Sequence, residues 1–418
     1  MSPSAPASVT TGAAAAGDPV RRILLARGLR DFGDGLVAVL LPAYLVALGF
    51  GAAEVGAVAT IALLGSALMT LVMGVVGTRV DPRLLLLLAA LLMAATGLGF
   101  AAVAASFVTI AAIALVGTIN PSAGSVSIFV PLEQALLTHA TADARRTAVF
   151  ARYSLVGALA AALGALAAVI PDAMTATGVQ PLVALRSAFL AYALLGVACF
   201  LAFRPISPLP AADRIERHAP LSQSRGIVVR LAALFCVDSF AGGLAVQSLL
   251  ALWLFERFGL SLAEAGLFFF WSGVLSAFSF PVAAWLAARI GLVNTMVFTH
   301  IPSSLCLIVA TLAPTAEVAL GLLLMRAALS QMDVPTRSSY VMAVVTPAER
   351  TAAASFTAVP RSLAAAASPA LAGAVFAAGY QELPLVACGL LKILYDFALL
   401  AAFRHIKPPE ERPPASTH

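Results

Sequence analysis

Charged residues are scarce in this chain, and their scarcity excludes most classes of soluble protein. Asp, Glu, Lys and Arg make up 11% of the 418 residues, whereas hydrophobic residues make up 61%. A soluble domain carries about 25% charged residues. The alternation of apolar and polar residues that is typical of membrane β-barrel strands is also absent. The composition therefore indicates an integral membrane protein built from many apolar helices.

The sequence also has few features of an enzyme or of an ATP-driven pump. Its four cysteines lie in apolar runs and lack the CxxC or Cys/His spacing of a metal site. No GxxxxGK[ST] loop, which would cradle nucleotide phosphates, is present. No HExxH segment or Ser/His/Asp set suggests catalysis. We therefore expect no cofactor and no enzymatic activity, and we expect no nucleic acid partner despite the net charge of +5.

Long apolar runs recur along the chain, and each is long enough for the roughly 20-residue helix that crosses a bilayer. They predict twelve membrane-spanning helices: 23–49, 55–78, 84–105, 107–137, 147–170, 183–203, 227–254, 262–288, 292–312, 316–345, 351–379 and 383–403. Residues 1–22 read as a disordered tail, 204–226 as a polar linker and 404–418 as a second tail. The linker divides the chain into two six-helix halves, 23–203 and 227–403.

The distribution of basic residues predicts the orientation in the membrane. If the N-terminus is inside, eighteen of the 25 Lys and Arg residues fall in inside segments, and the outside loops hold Arg186 and Arg257. Inside loops of membrane proteins carry the excess of basic residues. We therefore expect a multi-pass protein of the cell (inner) membrane whose two termini and central linker are cytoplasmic.

An internal repeat supports the division into two halves. Ala53-Glu54-Val55-Gly56 opens the second predicted span, and Ala263-Glu264-Ala265-Gly266 opens the eighth. In both copies an arginine, Arg79 or Arg289, follows the glutamate by 25 residues. Glu54 and Glu264 stand in the first turn of their helices and are expected to cap them; Ser261 and Glu264 have the spacing of a capping box. Two parallel halves with a site between them is a known transporter plan.

With these features the chain resembles the major facilitator superfamily. The segment after the second span keeps Gly74, Arg79 and Arg83 of that family's cytoplasmic motif, but Thr78 replaces its acidic residue. The copy after the eighth span keeps Arg289. The resemblance implies an all-α membrane protein of twelve helices in two pseudo-symmetric halves. It also implies transport by alternating access, with the motif arginines acting at the cytoplasmic gate.

Three carboxylates are the candidates for proton coupling. Asp31 and Asp34 share one face of the first span, and Glu133 lies near the cytoplasmic end of the fourth. A carboxylate within the membrane normally faces a water-filled cavity or a charged partner. Asp31 has a counterpart in the second half, Asp238, whereas Asp34 faces Ala241 there and has no acidic counterpart. Asp34 is therefore the sharper candidate, although Arg27 or Arg30 could pair structurally with either aspartate.

Other polar residues within the spans are candidates for substrate binding or for gating. They are Gln134, Arg152, Asp238, Gln247, Asp333, Arg337 and Arg361. Arg152 or Arg146 is the expected ion partner of Glu133, and Asp333 and Arg337 can neutralise each other because they are four residues apart on one helix. The same spacing predicts a pair between Lys392 and Asp396. Span four also carries two prolines, Pro121 and Pro131, which interrupt a helix.

Proton-coupled efflux of a drug-like or toxic small molecule is the predicted function, by a protein expected to be a monomer in the bilayer. Proton-coupled uptake of a metabolite stays open, because the fifth span has glycines at Gly157 and Gly164 but lacks the Gly-Pro pair of the superfamily's drug antiporters. Metal export also stays open. His300, Asp31, Cys236, Asp238 and Asp333 are possible ligand types, yet no paired spacing supports a metal site.

Overall fold

In the computed structural model, the structure describes residues 18–76, 80–122, 127–141, 143–208, 222–346 and 349–406. Within these ranges the chain forms sixteen α-helices and no β-strand. The predicted all-α fold is therefore confirmed. The long apolar runs form helices because a helix satisfies every backbone N–H and C=O group internally, as a bilayer requires.

Eight helices form the N-terminal half, and eight form the C-terminal half. The first eight are α1 (Pro19–Ala47), α2 (Ala52–Val76), α3 (Pro82–Ala102), α4 (Phe107–Val116), α5 (Phe129–Ala140), α6 (Asp143–Leu166), α7 (Val169–Ala176) and α8 (Pro181–Phe203). The last eight are α9 (Arg225–Leu244), α10 (Gln247–Phe258), α11 (Leu262–Ile290), α12 (Leu292–Thr311), α13 (Ala316–Ser330), α14 (Asp333–Val344), α15 (Arg350–Ala377) and α16 (Leu383–Phe403).

Ten stretches of the described chain are long and apolar enough to cross a membrane. Helix α1 has the length but carries six charged side chains, so its composition alone does not mark it as a span. The fourth predicted span is divided between α4, which is a short apolar helix, and α5. These helices correspond in order to the twelve predicted spans.

Four predicted spans are not continuous helices. The fourth, fifth, seventh and tenth are each divided into two helices. In the tenth, α13 ends at Ser330 and α14 begins at Asp333. Pro335 lacks the N–H group that would bond to the carbonyl of Gln331, so the helix cannot continue smoothly through this turn. In the seventh, the break at Ala245 follows Gly242 and Gly243, because glycine weakens a helix interior.

The two halves contact each other chiefly through α2 against α15 and α6 against α11. Gly56 of α2 and Gly373 of α15 lie backbone to backbone, and a Cβ atom on either residue would collide with the opposite helix. Ala370 N donates to Thr60 Oγ1 at 2.8 Å, and Ala263 N donates to Asp172 Oδ2 at 3.0 Å. These contacts lie at the ends of the spans opposite the chain termini.

The predicted helix caps of the repeat are confirmed. Glu264 N donates to Ser261 Oγ at 3.2 Å, and Glu264 Oε2 accepts from Ser261 N at 2.8 Å. In the first copy, Glu54 Oε2 accepts from Gly51 N at 3.0 Å. Both glutamates therefore satisfy free backbone N–H groups of a first helical turn, which is the structural role expected for them.

Candidate functional site

A buried charged cluster joins α1 to α5 in the N-terminal half; we call it the N-half cluster. Arg30 Nη1 lies 2.9 Å from Asp31 Oδ1, and Arg30 Nη2 lies 3.1 Å from Glu133 Oε2. Arg27 Nε lies 2.7 Å from Asp31 Oδ2, one helical turn away. Asp34 Oδ2 is 3.7 Å from Arg30 Nη1. Arg30, Asp31, Asp34 and Glu133 are all 1% exposed or less.

Two tyrosines complete the N-half cluster. Tyr153 of α6 donates its hydroxyl hydrogen to Glu133 Oε2 and accepts from Arg27 Nη1 at 3.2 Å. Tyr192 of α8 reaches Asp34 Oδ1 at 3.5 Å and Thr118 Oγ1 at 3.1 Å. The first span is thus bonded to the second helix of the broken fourth span and to the fifth and sixth spans.

The structure brings together all three predicted proton-coupling carboxylates, but the predicted pair of Glu133 with Arg152 is wrong. Glu133 pairs with Arg30, whereas the side chain of Arg152 is exposed. The side chain of Arg146 lies outside the part of the chain that the structure describes. Arg30 reaches Glu133 because α5 packs against α1. The two residues are 103 positions apart in the chain, so the sequence does not reveal this contact.

The N-half cluster contains one more acid than base. Among the described residues, three carboxylates of Asp31, Asp34 and Glu133 face two guanidinium groups of Arg27 and Arg30. Asp31 and Glu133 each have a cation within 3.1 Å, whereas the nearest cation to Asp34 lies at 3.7 Å. Asp34 is therefore the carboxylate that the cluster compensates least.

A second charged network lies in the C-terminal half and centres on Asp238 of α9; we call it the C-half network. Lys392 Nζ is 2.6 Å from Asp238 Oδ1, and Arg337 Nη1 is 3.0 Å from Asp238 Oδ2. Arg337 Nη1 also lies 3.3 Å from Asp333 Oδ2, so the predicted pair within α14 is confirmed. The network links the seventh span to the tenth and the twelfth.

His300 of α12 extends the C-half network. Its Nδ1 lies 3.0 Å from Asp396 Oδ1, and its Nε2 lies 3.2 Å from Lys392 Nζ. The predicted pair between Lys392 and Asp396 is therefore wrong. Helical spacing allowed that contact, but Lys392 is bonded to α9 and Asp396 to α12.

The remaining predicted substrate residues are less buried than the residues of the N-half cluster and the C-half network. Gln134, Gln247 and Arg361 are partly exposed. Arg361 of α15 forms no ion pair with any described residue, although it interacts electrostatically with Asp238 and Asp333. Arg152 is exposed, as noted above, and lines a surface cavity of about 240 Å³ together with Asp18, Thr141 and Val149.

Three of the four predicted gating residues are in the described part of the chain, where they lie in α2, α3 and α11. Gly74 lies in α2, and Arg79 lies outside the described residues. Arg83 donates to the carbonyl oxygen of Arg204, which joins the start of α3 to the end of α8 within one half. Arg289 is exposed, with its guanidinium carbon 4.1 Å from the centre of the Trp285 ring. In the described part of the chain, no group of three metal-ligating side chains is arranged to hold a metal ion.

Sequence reasoning missed several members of both charged groups. Tyr153 and Tyr192 carried no recognisable signal, because an isolated tyrosine in an apolar run is more often a packing residue. His300, Lys392 and Asp396 did carry a signal: each is a polar residue inside an apolar span, where ionisable groups are costly. Only the packing of α9, α12 and α16 shows that these three residues form one network with Asp238.

Comparison with known proteins agrees with this architecture. The family model described as Major Facilitator Superfamily matches residues 23–328 and 231–418. An uncharacterized membrane protein of Saccharomyces cerevisiae, YJR124C, is 22% identical over an alignment of length 411, which covers 90% of this chain and 92% of that protein.

Among solved structures, the nucleoside transporter NupG is 16% identical with a TM-score of 0.71 and covers 92% of this chain and 98% of its own. A bacterial homologue of the human lysosomal transporter Spinster, inward-facing and occupied, is 15% identical with a TM-score of 0.72 and covers 95% and 98%. The family match spans the whole membrane region, and the structural likeness extends over both halves. The chain belongs to the major facilitator superfamily, and it has that family's fold of a small-solute transporter.

Proposed function

We propose that this protein is a proton-coupled secondary transporter in which Asp34 carries the proton. The observation that supports this role is the charge imbalance of the N-half cluster, where three buried carboxylates face two guanidinium groups. An uncompensated charge buried in a membrane span is costly, by about 2.5–3.5 kcal/mol on insertion scales. Binding one proton removes the imbalance, and losing it restores the imbalance.

Asp34 is the carboxylate best suited to exchange that proton. It has the longest contact with a cation in the cluster, 3.7 Å from Arg30. Tyr192 offers it a hydroxyl group that can donate to the carboxylate or accept from the protonated acid. Asp31, in contrast, has cations within 2.7 and 2.9 Å, and these favour its charged form.

Arg30 can connect proton binding to a change of shape. Its guanidinium group bonds to Asp31, to Glu133 of α5 and, more distantly, to Asp34. When Asp34 is ionised, it attracts the same guanidinium group that holds α5 to α1. When Asp34 is protonated, it no longer attracts the guanidinium group of Arg30, and the Arg30–Glu133 bond is favoured. Since α5 is the second part of a broken span, it can shift without moving α4.

The substrate is proposed to bind between the halves, near the partly exposed Gln134, Gln247 and Arg361. The halves touch at the ends of the spans opposite the termini, through Gly56 and Gly373. If the termini are cytoplasmic, as the basic residues predict, this conformation is closed to the outside and is the one in which an exporter would load its substrate. We therefore propose export by proton antiport in the cell (inner) membrane.

Uptake of a polar metabolite together with protons is the second candidate. It is favoured by Arg361, a cation within a span that makes no ion pair with a described residue and could bind an anionic group. The two candidates differ in the direction of proton flow relative to the substrate. Antiport moves protons in the direction opposite to the substrate, and symport moves them in the same direction.

The test uses everted membrane vesicles that contain the full-length protein and an acid interior generated by respiration. A pH-sensitive fluorescent amine reports the gradient while a panel of drugs, nucleosides and organic anions is added one by one. A compound exported by antiport dissipates the gradient when it is added. External alkalinisation of intact cells on adding the compound indicates symport instead.

Asp34→Asn is the decisive variant, and Glu264→Gln is its matched control. The amide keeps the size of Asp34 but cannot exchange a proton, so the proton flux evoked by the active compound should fall at least about tenfold. Glu264 is an exposed capping carboxylate, so its amide variant should behave like the natural protein. Undiminished proton flux in Asp34→Asn, with the protein present at normal abundance, contradicts the proposal.

A further inference from the structure

His300 lies between Asp396 and Lys392, and these two groups require different hydrogen-bonding roles of its ring nitrogens. Asp396 Oδ1 and Oδ2 lie 3.0 and 3.1 Å from Nδ1, and a carboxylate can only accept a hydrogen bond. Lys392 Nζ lies 3.2 Å from Nε2, and an ammonium group can only donate. Neutral His300 therefore carries its hydrogen on Nδ1 and accepts the hydrogen bond of Lys392 at Nε2.

Protonation of His300 is incompatible with the Lys392 contact. The imidazolium ring has hydrogens on both nitrogens, so Nε2 would then face the ammonium group as a second donor. The nearest acceptor for that hydrogen is Asp238 Oδ1, which lies 3.8 Å from Nε2. Lys392 already occupies the same oxygen at 2.6 Å. A proton on His300 thus makes the histidine and the lysine competitors for one carboxylate oxygen.

The charge balance of the C-half network leaves room for that proton. The contacting groups are three carboxylates, of Asp238, Asp333 and Asp396, and two bases, of Arg337 and Lys392. Arg361 of α15 acts on Asp238 and Asp333 without forming an ion pair. Among the contacting groups alone, a neutral histidine leaves one excess negative charge. An imidazolium at position 300 balances it. The ring is 2% exposed, so solvent screens these charges little.

Helices α16, α13, α14 and α11 pack against α12, and their charged groups determine the electrostatic surroundings of this histidine. Helix α16 supplies Lys392, Asp396 and the ring of Tyr395, whose centre is 6.1 Å from that of His300. Helix α14 supplies Asp333 and Arg337, which act through Asp238.

The other neighbouring helices add few charges. Helix α13 carries Arg326, whose nearest titratable neighbours are Cys306 and Cys388. Between Glu264 and Arg289, α11 has no charged residue. The charged groups in direct contact with the ring are therefore Asp396 and Lys392, with Asp238 next at 3.8 Å.

From this geometry we infer that His300 is a second proton-binding site, located in the C-terminal half and separate from the N-half cluster. Its protonation releases Lys392 from the ring and draws the imidazolium toward Asp238. The bonds that tie α9 to α14 and α16 are then rearranged. Because α9 is the first part of the broken seventh span, the proton changes how that span is held. The consequence for transport rests on the proposed function; the proton site itself does not.

The experiment observes the histidine rings directly in the full-length protein in lipid nanodiscs. The chain contains five histidines, so ring ¹⁵N labelling gives few signals in a nitrogen–proton correlation NMR spectrum. The spectrum is recorded between pH 5 and pH 8.5, and His300→Gln identifies the signal of interest by its disappearance. We expect that signal to show hydrogen on Nδ1 at high pH and both nitrogens protonated at low pH.

Two variants separate this site from the proposed coupling site. Asp396→Asn keeps an acceptor for Nδ1 but removes the charge that balances the imidazolium, so the titration midpoint of His300 should move by about one pH unit to the acid side. Asp34→Asn should leave that midpoint unchanged, since Asp34 belongs to the other half. This holds whether or not Asp34→Asn abolishes transport.

Three results would overturn the inference. One is a His300 signal with its hydrogen on Nε2 at high pH, and another is a signal that stays neutral down to pH 5. If His300→Gln does not fold, the signal is identified as the one that Asp396→Asn moves. A set of five histidine signals that are all unaffected by Asp396→Asn is then the third contradicting result.

Discussion

Arg30 Nη2 lies 3.1 Å from Glu133 Oε2, so the first span and the second part of the fourth are held together by a buried ion pair. Glu133 Oε2 also accepts a hydrogen bond from Tyr153, and Arg30 bonds to Asp31 as well. This single carboxylate oxygen therefore connects α1, α5 and α6. The consequences of its position can be tested by changing each partner in turn.

Glu133→Gln should preserve the fold and weaken proton coupling. The amide oxygen can still accept from Arg30 and Tyr153, and the cluster then has two carboxylates for two guanidinium groups. With no excess negative charge, the cluster no longer needs a proton at neutral pH. We expect the proton flux evoked by an active compound to fall severalfold in everted vesicles, while thermal stability in detergent stays near that of the natural protein. Normal flux from this variant would show that the charge count does not determine coupling.

Arg30→Met should unfold the protein rather than simply inactivate it. Arg30 is 1% exposed, and its removal leaves Glu133 and Asp34 without a nearby cation. Loss of one partner of a buried ion pair costs about 3–5 kcal/mol. We expect low abundance in the membrane and early aggregation on heating. The double variant Arg30→Met/Glu133→Gln should recover part of the loss, and a double variant no better than the single one would contradict the pairing.

Tyr192→Phe should change the pH dependence of transport without a large loss of abundance. The hydroxyl group contacts Asp34 at 3.5 Å and Thr118 at 3.1 Å, while the ring packs in the core of the N-terminal half. The hydrogen bond to the Asp34 carboxylate is long, so its loss should cost about 1 kcal/mol, and the pH of half-maximal flux should move by under about one unit. Tyr44→Phe is the matched control, because its hydroxyl bonds to a backbone carbonyl away from Asp34. An equal shift in both variants argues against a specific role of Tyr192.

Gly56→Val should prevent the contact between the halves from closing. The backbone of Pro369 and Gly373 occupies the space that a side chain at position 56 would need. The variant should fold, since each half keeps its own core, but it should populate the conformation in which α2 and α15 are apart. Spin labels on the exposed ends of these helices, measured by double electron–electron resonance, should report a longer distance. Gly321→Val, at an open position, is the control, and unchanged distances in Gly56→Val would refute the steric account.

Glu349→Gln should make the stability of the protein less dependent on pH in acid. Glu349 precedes α15 and accepts hydrogen bonds from the backbone N–H groups of Ser222, Gln223 and Ser224. These donors favour the charged carboxylate and hold its pKa below the usual range. The stabilisation is present above the unfolded-state pKa of about 4.3 and is lost as the pH falls below it. Melting temperatures from pH 7 to pH 3 should thus fall more steeply for the natural protein than for the variant; parallel curves contradict this.

Most of the architecture could be predicted from local features of the chain. Apolar runs of helical length predicted the spans, and the repeat around Glu54 and Glu264 predicted the two related segments, because both signals depend on neighbouring residues. The breaks in spans five, seven and ten were missed. Pro335 predicts a disturbed turn, but whether the helix bends or ends there depends on what receives the freed backbone groups.

The candidate site, too, was predicted only in part. The sequence alone determined which carboxylates lie within the predicted spans, Asp31, Asp34, Glu133 and Asp238 among them, because those spans were defined by apolar runs whatever partners the carboxylates have. Only the tertiary structure decided that Glu133 bonds to Arg30 and that Asp396 bonds to His300. A spacing of four residues makes a pair possible, but long side chains choose among all the helices within reach. Asp333 and Arg337 pair along one helix, whereas Lys392 and Asp396 bond to other helices. A buried charged group needs a partner because water is excluded, and the packing of the helices decides which partner is within reach, whatever its distance along the chain.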